Sequence, residues 1–261
     1  MLAELRKRSR FSGLIIGFIK SPAGKKVAKY YSIINAQIEQ EYHRSEFSVS
    51  FDEKLNREEF FAKGMRFLQY NHIEGDYLEF GCCGGMTFGL AHKYKHILGL
   101  SMRLYAFDSF QGLPKPEGID VHAQWEEGAH AMSMAQFTKK LEEIGAEKKE
   151  YFLVPGFYDE SLKRNSPDKI GLKKAALVYV DCDLYESTVS VLNYVLPILQ
   201  TGTILAFDDF FCFNGDPDRG GQLALKEFLQ RNPQIKISDY LNIGWGGKSF
   251  IVKTYATEAK V

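Results

Sequence analysis

The chain is poor in sulfur and has no long apolar run. Its four cysteines (Cys82, Cys83, Cys182 and Cys212) in 261 residues form no C-x-x-C pair. That excludes a disulfide framework and a cysteine-rich zinc site, and it favours a reducing, cytoplasmic setting. The apolar stretch from Phe11 to Ile19 is broken by Gly13 and Gly17, and it is about half as long as the ~20 residues a membrane span requires. A basic start followed by Ser21-Pro22-Ala23 imitates a secretory signal, but Lys20 stands where a neutral approach to a cleavage site is usual. There is no internal repeat, no low-complexity tract and no net charge: 33 basic residues meet 33 acidic ones. Wholesale nucleic-acid binding is therefore not expected.

The neutrality is a balance between two unlike parts. Residues 1–30 hold eight Lys/Arg and a single acid, Glu4, so the remainder of the chain is acidic. Within this leader Phe11, Ile15, Phe18 and Ile19 share one helical face, as do Val27, Tyr31, Ile34 and Ile38. These faces predict helices that pack on the body or on a second copy in a homodimer. The alternative is peripheral contact of residues 1–30 with an anionic membrane. Residues 40–58 are polar and mixed in charge and read as a connector. The expected organisation is a basic helical extension and connector over 1–58 and a main domain over 59–261. Phe61, Met65 and Leu68 mark a helix that leads into that domain.

What is abundant is apolar and aromatic residues, 45% and 14% of the chain, enough for one large α/β core. From residue 76 short β-branched or aromatic runs alternate with helical segments, the pattern of a mainly parallel sheet covered on both faces. Strands are predicted at Tyr77–Phe80, Leu104–Phe107, Tyr151–Val154, Ala176–Val180 and Thr203–Phe207. Helices are predicted at Met86–Leu98, Met134–Ile144, Ser187–Leu199 and Gln222–Leu229. Ile235–Tyr240 and Ser249–Thr254 flank Gly244-Trp245-Gly246-Gly247, which predicts a C-terminal antiparallel hairpin.

Ligands of such sheets collect beyond the carboxyl ends of the strands, and there this sequence places glycines and acids. Glu79-Phe80-Gly81-Cys82-Cys83-Gly84-Gly85-Met86-Thr87 is a strand end, a glycine-rich turn and a helix start. Its spacing fails the dinucleotide fingerprint, and an acid at position 79 suits an ammonium-bearing ligand better than a diphosphate. Asp108 ends the second strand, where a carboxylate can accept from ribose hydroxyls or cap a turn. Asp181, Asp183, Asp208 and Asp209 follow the fourth and fifth strands. If those strands are neighbours the acids converge, and a hard divalent cation such as Mg²⁺ relieves their repulsion.

Taken together, E-F-G and G-G at 79–85, F-D-S-F-Q-G-L-P at 107–114, V-x-G-x-Y-x-x-S-L at 154–162, D-C-D-L-Y-E-S-T at 181–188 and D-D at 208–209 resemble the macrocin O-methyltransferase family over residues ~70–255. The resemblance implies a Rossmann-like class I methyltransferase fold with a seven-stranded sheet. It also implies an enzyme that uses S-adenosylmethionine and Mg²⁺ to methylate a sugar hydroxyl. By it, Glu79, Gly81, Gly84, Gly85 and Thr87 hold the methionine part of the cofactor, Asp108 and Ser109 the ribose, and Gly156 lies near the adenine. Asp181, Asp208 and Asp209 match the metal ligands and Asp183 the general base. Cys82-Cys83 and the long loop after Asp209 depart from the family pattern. A phenol or catechol acceptor is an alternative, as is a non-catalytic partner in polysaccharide assembly. Gln124–Gly128 reads as a lid loop, with His122 and His130 beside Trp125 as candidates for substrate contact. His92 and His96 stand at i, i+4 without a third ligand in view and read as surface histidines. Cys182, between two acids, is not expected to be a nucleophile.

Overall fold

The computed structural model describes residues 47–254, with side chains from residue 54. The leader helices expected over residues 11–38, and with them the dimer and membrane readings of residues 1–30, lie outside the described residues. No described helix is long and apolar enough to cross a membrane.

The first described element, helix α1 (Phe47–Tyr70), changes one expectation. The mixed-charge residues predicted as a connector are helical from Phe47 onward. Their polarity reflects a helix buried on one side only: Phe60, Phe61, Met65 and Leu68 form the buried stripe, and charged residues occupy much of the rest. The residues from Leu55 onward form one compact unit.

Five parallel strands follow, β1 (Asp76–Phe80), β2 (Leu104–Asp108), β3 (Tyr151–Pro155), β4 (Ala175–Val180) and β5 (Ile204–Phe207). They are interleaved with α2 (Met86–Leu98), α3 (Met134–Glu143), α4 (Tyr158–Arg164), α5 (Tyr185–Val195) and α6 (Gly220–Arg231). Strands β6 (Ile235–Ile243) and β7 (Gly247–Thr254) close the sheet, with β7 antiparallel to both β5 and β6. The order is β3-β2-β1-β4-β5-β7-β6, the mainly parallel seven-stranded sheet with a terminal hairpin that the sequence pattern predicts. Helix α4 was not predicted, because its seven residues are too few for a visible hydrophobic period.

Strand alternation divides the core in two. Leu78, Phe80, Phe107, Val178, Val180, Leu205 and Phe207 pack with Val191, Leu192 and Val195 of α5 and Leu225 and Phe228 of α6. Tyr77, Leu104, Ala106, Leu177, Tyr179 and Ile204 face the other way, onto α1, Phe88 and Ala91 of α2, and Phe137 and Leu141 of α3. Both faces of β1 and β4 are thus covered, and every residue of these strands is buried. The central strands cannot tilt or slide without opening one of the two cores, which makes their carboxyl ends a rigid base for the loops above.

Local chemistry sets the ends of several elements. Ser133 and Gln136 form a reciprocal capping box at the start of α3. The start of α5 has no cap of its own; Asp120, brought from a distant loop, accepts from the Tyr185 N–H at 2.6 Å and the Glu186 N–H at 3.2 Å. Gly81 joins β1 to the turn at φ 88°, and a Cβ there would lie 1.7 Å from the Asp181 carbonyl oxygen. Only glycine lets the β1 and β4 ends approach so closely. Gly81→Ala is therefore expected to cost roughly 3 kcal/mol or more. Gly84→Ala, at φ 77° but with nothing within 4 Å of the added carbon, should cost about 1–2 kcal/mol. Urea denaturation of the two variants checks the ranking.

Candidate active site

The strand ends bring the predicted acids together. Asp181 follows β4 and its N–H donates to the Phe80 carbonyl at 2.8 Å, while the Asp208 N–H donates to the Val180 carbonyl at 2.9 Å. This registers the ends of β1, β4 and β5, and carboxylate oxygens of Asp181, Asp208 and Asp209 all come within 4.8 Å of one another. Burial, then the nearby Asp208, Asp209 and Asp183, push the Asp181 carboxyl well above the usual range. Burial raises Asp183 in the same way, with Asp209 the next cause. Four acids facing one another out of bulk water favour protonation unless a cation joins them.

One cation is built in. Arg57 of α1 donates from Nε to Asp208 Oδ1 at 3.0 Å and from a terminal nitrogen to Oδ2, in a bidentate fork. The Tyr179 hydroxyl also donates to Asp208 Oδ1. Burial alone would lower the Arg57 pKa, but the bond to Asp208 and the surrounding acids outweigh it, so the guanidinium stays charged. The sequence reading missed Arg57 because it assigned position 57 to a connector. The available signal was its spacing, four residues before Phe61 and hence on the inward stripe of the helix.

Asp183 occupies a strained position. Its φ is 60°, and the Leu184 N–H donates to the Cys182 carbonyl at 2.6 Å across it, closing a three-residue turn. Aspartate tolerates this region better than most residues, at a cost of about 1–3 kcal/mol. Asp209 accepts from the Cys212 thiol on Oδ1 at 3.5 Å and its carboxyl meets that of Asp183, while its buried Oδ2 receives no hydrogen bond from an N–H or neutral hydroxyl. A buried carboxylate oxygen without such a donor, three converging hard oxygen donors and spare lone pairs on Asp208 fit a divalent cation of the Mg²⁺ type.

The glycine turn adjoins these acids. Asp108 ends β2 and accepts from the Cys82 N–H on one oxygen and the Phe110 N–H on the other, both at 2.6 Å. It thereby fastens the turn to β2 and retains lone pairs for a ligand. Gly84 and Gly85 hold φ 77° and 66° where the N-terminus of α2 offers free N–H groups. Glu79 and Thr87 lie sealed from solvent: Thr87 donates to Glu79 Oε1 at 2.7 Å and the Tyr77 hydroxyl donates to Oε2. Burial raises the Glu79 pKa to about 8 against the hydrogen bonds from Thr87 and Tyr77. Ser109 orders its own turn, donating to the Gly112 carbonyl at 2.7 Å. Gly156, at φ 120°, donates its N–H to the Asp108 carbonyl at 2.9 Å.

A wall stands beside the acids. Trp125 and His122 approach Phe213 with ring centroids 6.3 and 5.3 Å away, and Trp125 lies 6.4 Å from His130. Arg219 stacks over Phe213 and donates to the carbonyls of Ile119 and Val121. The loop predicted as a lid is thus tied to the loop after Asp209, and the Trp125 indole N–H is buried without an acceptor. Cys182 and Cys212 thiols are pushed up in pKa by burial and by the acids, a direction that keeps a thiol protonated and a poor nucleophile.

A family model described as macrocin-O-methyltransferase matches residues 55–233 of this chain. The chain belongs to the macrocin O-methyltransferase family. A curated relative, the 8-demethyl-8-(2,3-dimethoxy-alpha-L-rhamnosyl)-tetracenomycin-C 4'-O-methyltransferase of Streptomyces olivaceus, is 27% identical over 146 residues, 53% of this chain and 54% of that one. The alignment thus spans about half the length of that relative. Among solved structures, the O-methyltransferase NovP matches with a TM-score of 0.63 at 21% identity, covering 77% of this chain and 80% of that chain. CalS11, a calicheamicin methyltransferase, matches with 0.61 at 20% identity, covering 96% and 93%. Both show that this family member has the Rossmann-like class I methyltransferase fold.

Two expectations follow from the electrostatics. The Glu79 pKa is raised from its ordinary 4.5 to about 8 in the folded chain, so the native state holds a proton that the unfolded state has lost. That contribution to stability is present in full below about pH 4.5 and disappears as pH rises to about 8. The ligand-free chain should lose melting temperature across this window, and Glu79→Gln should flatten the slope; parallel slopes would assign it to other groups. Arg57→Met should cost about 3 kcal/mol by leaving a buried carboxylate beside like charges. Added Mg²⁺ should stabilise that variant more than the wild type, as read by chemical denaturation.

Proposed function

We propose that this chain is a Mg²⁺-dependent O-methyltransferase that moves the methyl group of S-adenosylmethionine to a hydroxyl of a sugar or glycan precursor. The observation that carries the reading is the convergence of Asp181, Asp208 and Asp209 beside a glycine turn that opens a helix, in a chain of this family. The acceptor class rests on the curated relative, whose name describes methylation of a rhamnosyl group.

In this reading Asp181, Asp208 and Asp209 hold the divalent cation. The Gly81–Gly85 turn and the N-terminus of α2 receive the methionine part of the cofactor, with Glu79 and Thr87 beneath them. Asp108, supported by Ser109, takes the ribose hydroxyls through the lone pairs its backbone bonds leave free, and Gly156 borders the adenine. When bound, the cation supplies Lewis acidity toward an acceptor hydroxyl and the cofactor supplies an electrophilic methyl group. Asp183, two residues past Asp181 at the same strand end, receives the hydroxyl proton. The strained turn fixes that carboxyl against the acids, and Arg57 fixes Asp208, so neither group has to reorganise during the reaction. Trp125, His122 and Phe213 shape the acceptor side and limit water. The reading places the enzyme in the cytoplasm as a homodimer, with residues 1–30 as the segment that packs on a partner or touches a membrane.

Calorimetric titration with S-adenosylmethionine, with and without Mg²⁺, followed by methyl-transfer assays on a panel of nucleotide sugars and catechols, tests the proposal. Asp208→Asn should abolish metal-dependent turnover while leaving cofactor affinity within about twofold. Asp108→Ala should weaken cofactor binding at least tenfold, an expected loss of about 1.4 kcal/mol or more. Absence of cofactor binding at high protein concentration would sink the reading, and cofactor binding with no turnover on any diol would favour the scaffold role.

A further inference from the structure

The two histidines that the sequence left without a partner acquire one in the fold. His92 and His96 stand on one face of α2, and Glu150, in the turn that enters β3, reaches the same point. His92 Nε2 lies 3.1 Å from His96 Nε2. Glu150 Oε2 is 3.3 Å from His92 Nε2 and Oε1 is 2.8 Å from His96 Nε2. A tetrahedral zinc ion with ligand bonds near 2.0–2.1 Å separates its ligand atoms by about 3.3 Å, so the two imidazole nitrogens and the Glu150 carboxylate already stand at close to ligand spacing.

We propose that His92, His96 and Glu150 form a zinc site, separate from the carboxylate cluster and of different chemistry. Two imidazole nitrogens and one carboxylate are borderline donors that select Zn²⁺ over Mg²⁺, the reverse of an all-carboxylate site. His92 is 7% exposed. Glu150 is held in place by Lys95 at 2.8 Å and by the Glu147 N–H at 3.0 Å. The His96 side chain is 53% exposed, so the fourth position faces water.

The site lies at the amino-terminal edge of the parallel strands. Helix α2 runs from the glycine turn at the carboxyl edge back to this edge, and His96 is about 15 Å along the helix from Met86 at ~1.5 Å per residue. A zinc ion here would fasten the last turn of α2 to the entrance of β3, which among the described residues is an edge strand paired with β2. Lys95 competes for the same carboxylate, donating to Glu150 Oε1 at 2.8 Å. With zinc absent, the Lys95–Glu150 ion pair and the contacts of the two imidazoles with Glu150 and each other hold the clamp.

The test uses the untagged, chelator-treated full chain, titrated with Zn²⁺ alone by calorimetry and with Co²⁺ alone by visible absorption. The expected result is one histidine-dependent zinc per chain that millimolar Mg²⁺ does not displace and that raises the melting temperature. His96→Ala, at a half-exposed position that the core does not need, should weaken binding at least tenfold and remove the tetrahedral cobalt bands. Lys95→Met should tighten binding, and Asp208→Asn should leave it unchanged. Equal Zn²⁺ affinity in wild type and His96→Ala, loss of binding in Asp208→Asn, or no binding by the wild type at micromolar zinc would each overturn the proposal.

Discussion

Everything at the carboxyl edge of the sheet depends on holding several negative charges together in a space that water scarcely enters. Two carboxylates at the separations found here repel by roughly 3–4 kcal/mol at an effective dielectric near 20, and each of the three candidate ligands faces two others. The fold offsets part of this with the Arg57 guanidinium and the Tyr179 hydroxyl, both committed to Asp208. The remainder persists as raised proton affinity at Asp181 and Asp183. Such a cluster is poorly matched to the empty protein and well matched to a bound cation, so stability and ligand affinity draw on the same charges.

Much of this was legible in the sequence, and the physical reasons are specific. The buried strands β4 and β5 read clearly because parallel strands covered on both faces need uninterrupted apolar runs, and each run stops at an acid; β1, with Glu79 inside it, read from its aromatic and apolar residues and the glycine that ends it. Helix α2 read correctly from Met86 to Leu98 because glycines stand on both sides of it. The start of α1 did not, since a helix with one buried stripe has a mean composition close to that of a linker. Arg57 was lost with it. The roles of Glu79 and Thr87 were also only half visible: their positions at the turn could be read, but not that each satisfies the other out of solvent. Contacts between residues distant in sequence leave no local signature, and Glu150, 54 positions beyond His96, is the plainest case.

The two loops around Trp125 and Phe213 are hung on a fixed frame. Asp120 caps α5, whose start lies two residues past Asp183, and Arg219 holds the carbonyls of Ile119 and Val121. The loop over Trp125 is therefore fastened at points adjoining the acid cluster. Substitutions within it can reshape this surface while the capping carboxylate keeps α5 in place.

Arg57 also bears on how much chain a working enzyme requires. The sheet and its glycine turn begin only at Asp76, although α1 supplies part of one core. The bidentate fork to Asp208 comes from a residue nineteen positions earlier, on a helix whose sequence resembles a spacer. An excised domain cut at residue 59 would retain every residue of the recognised motifs. It would nonetheless lack the Arg57 counter-ion of Asp208, so the recognised motifs and the charge balance of the acid cluster have different first residues.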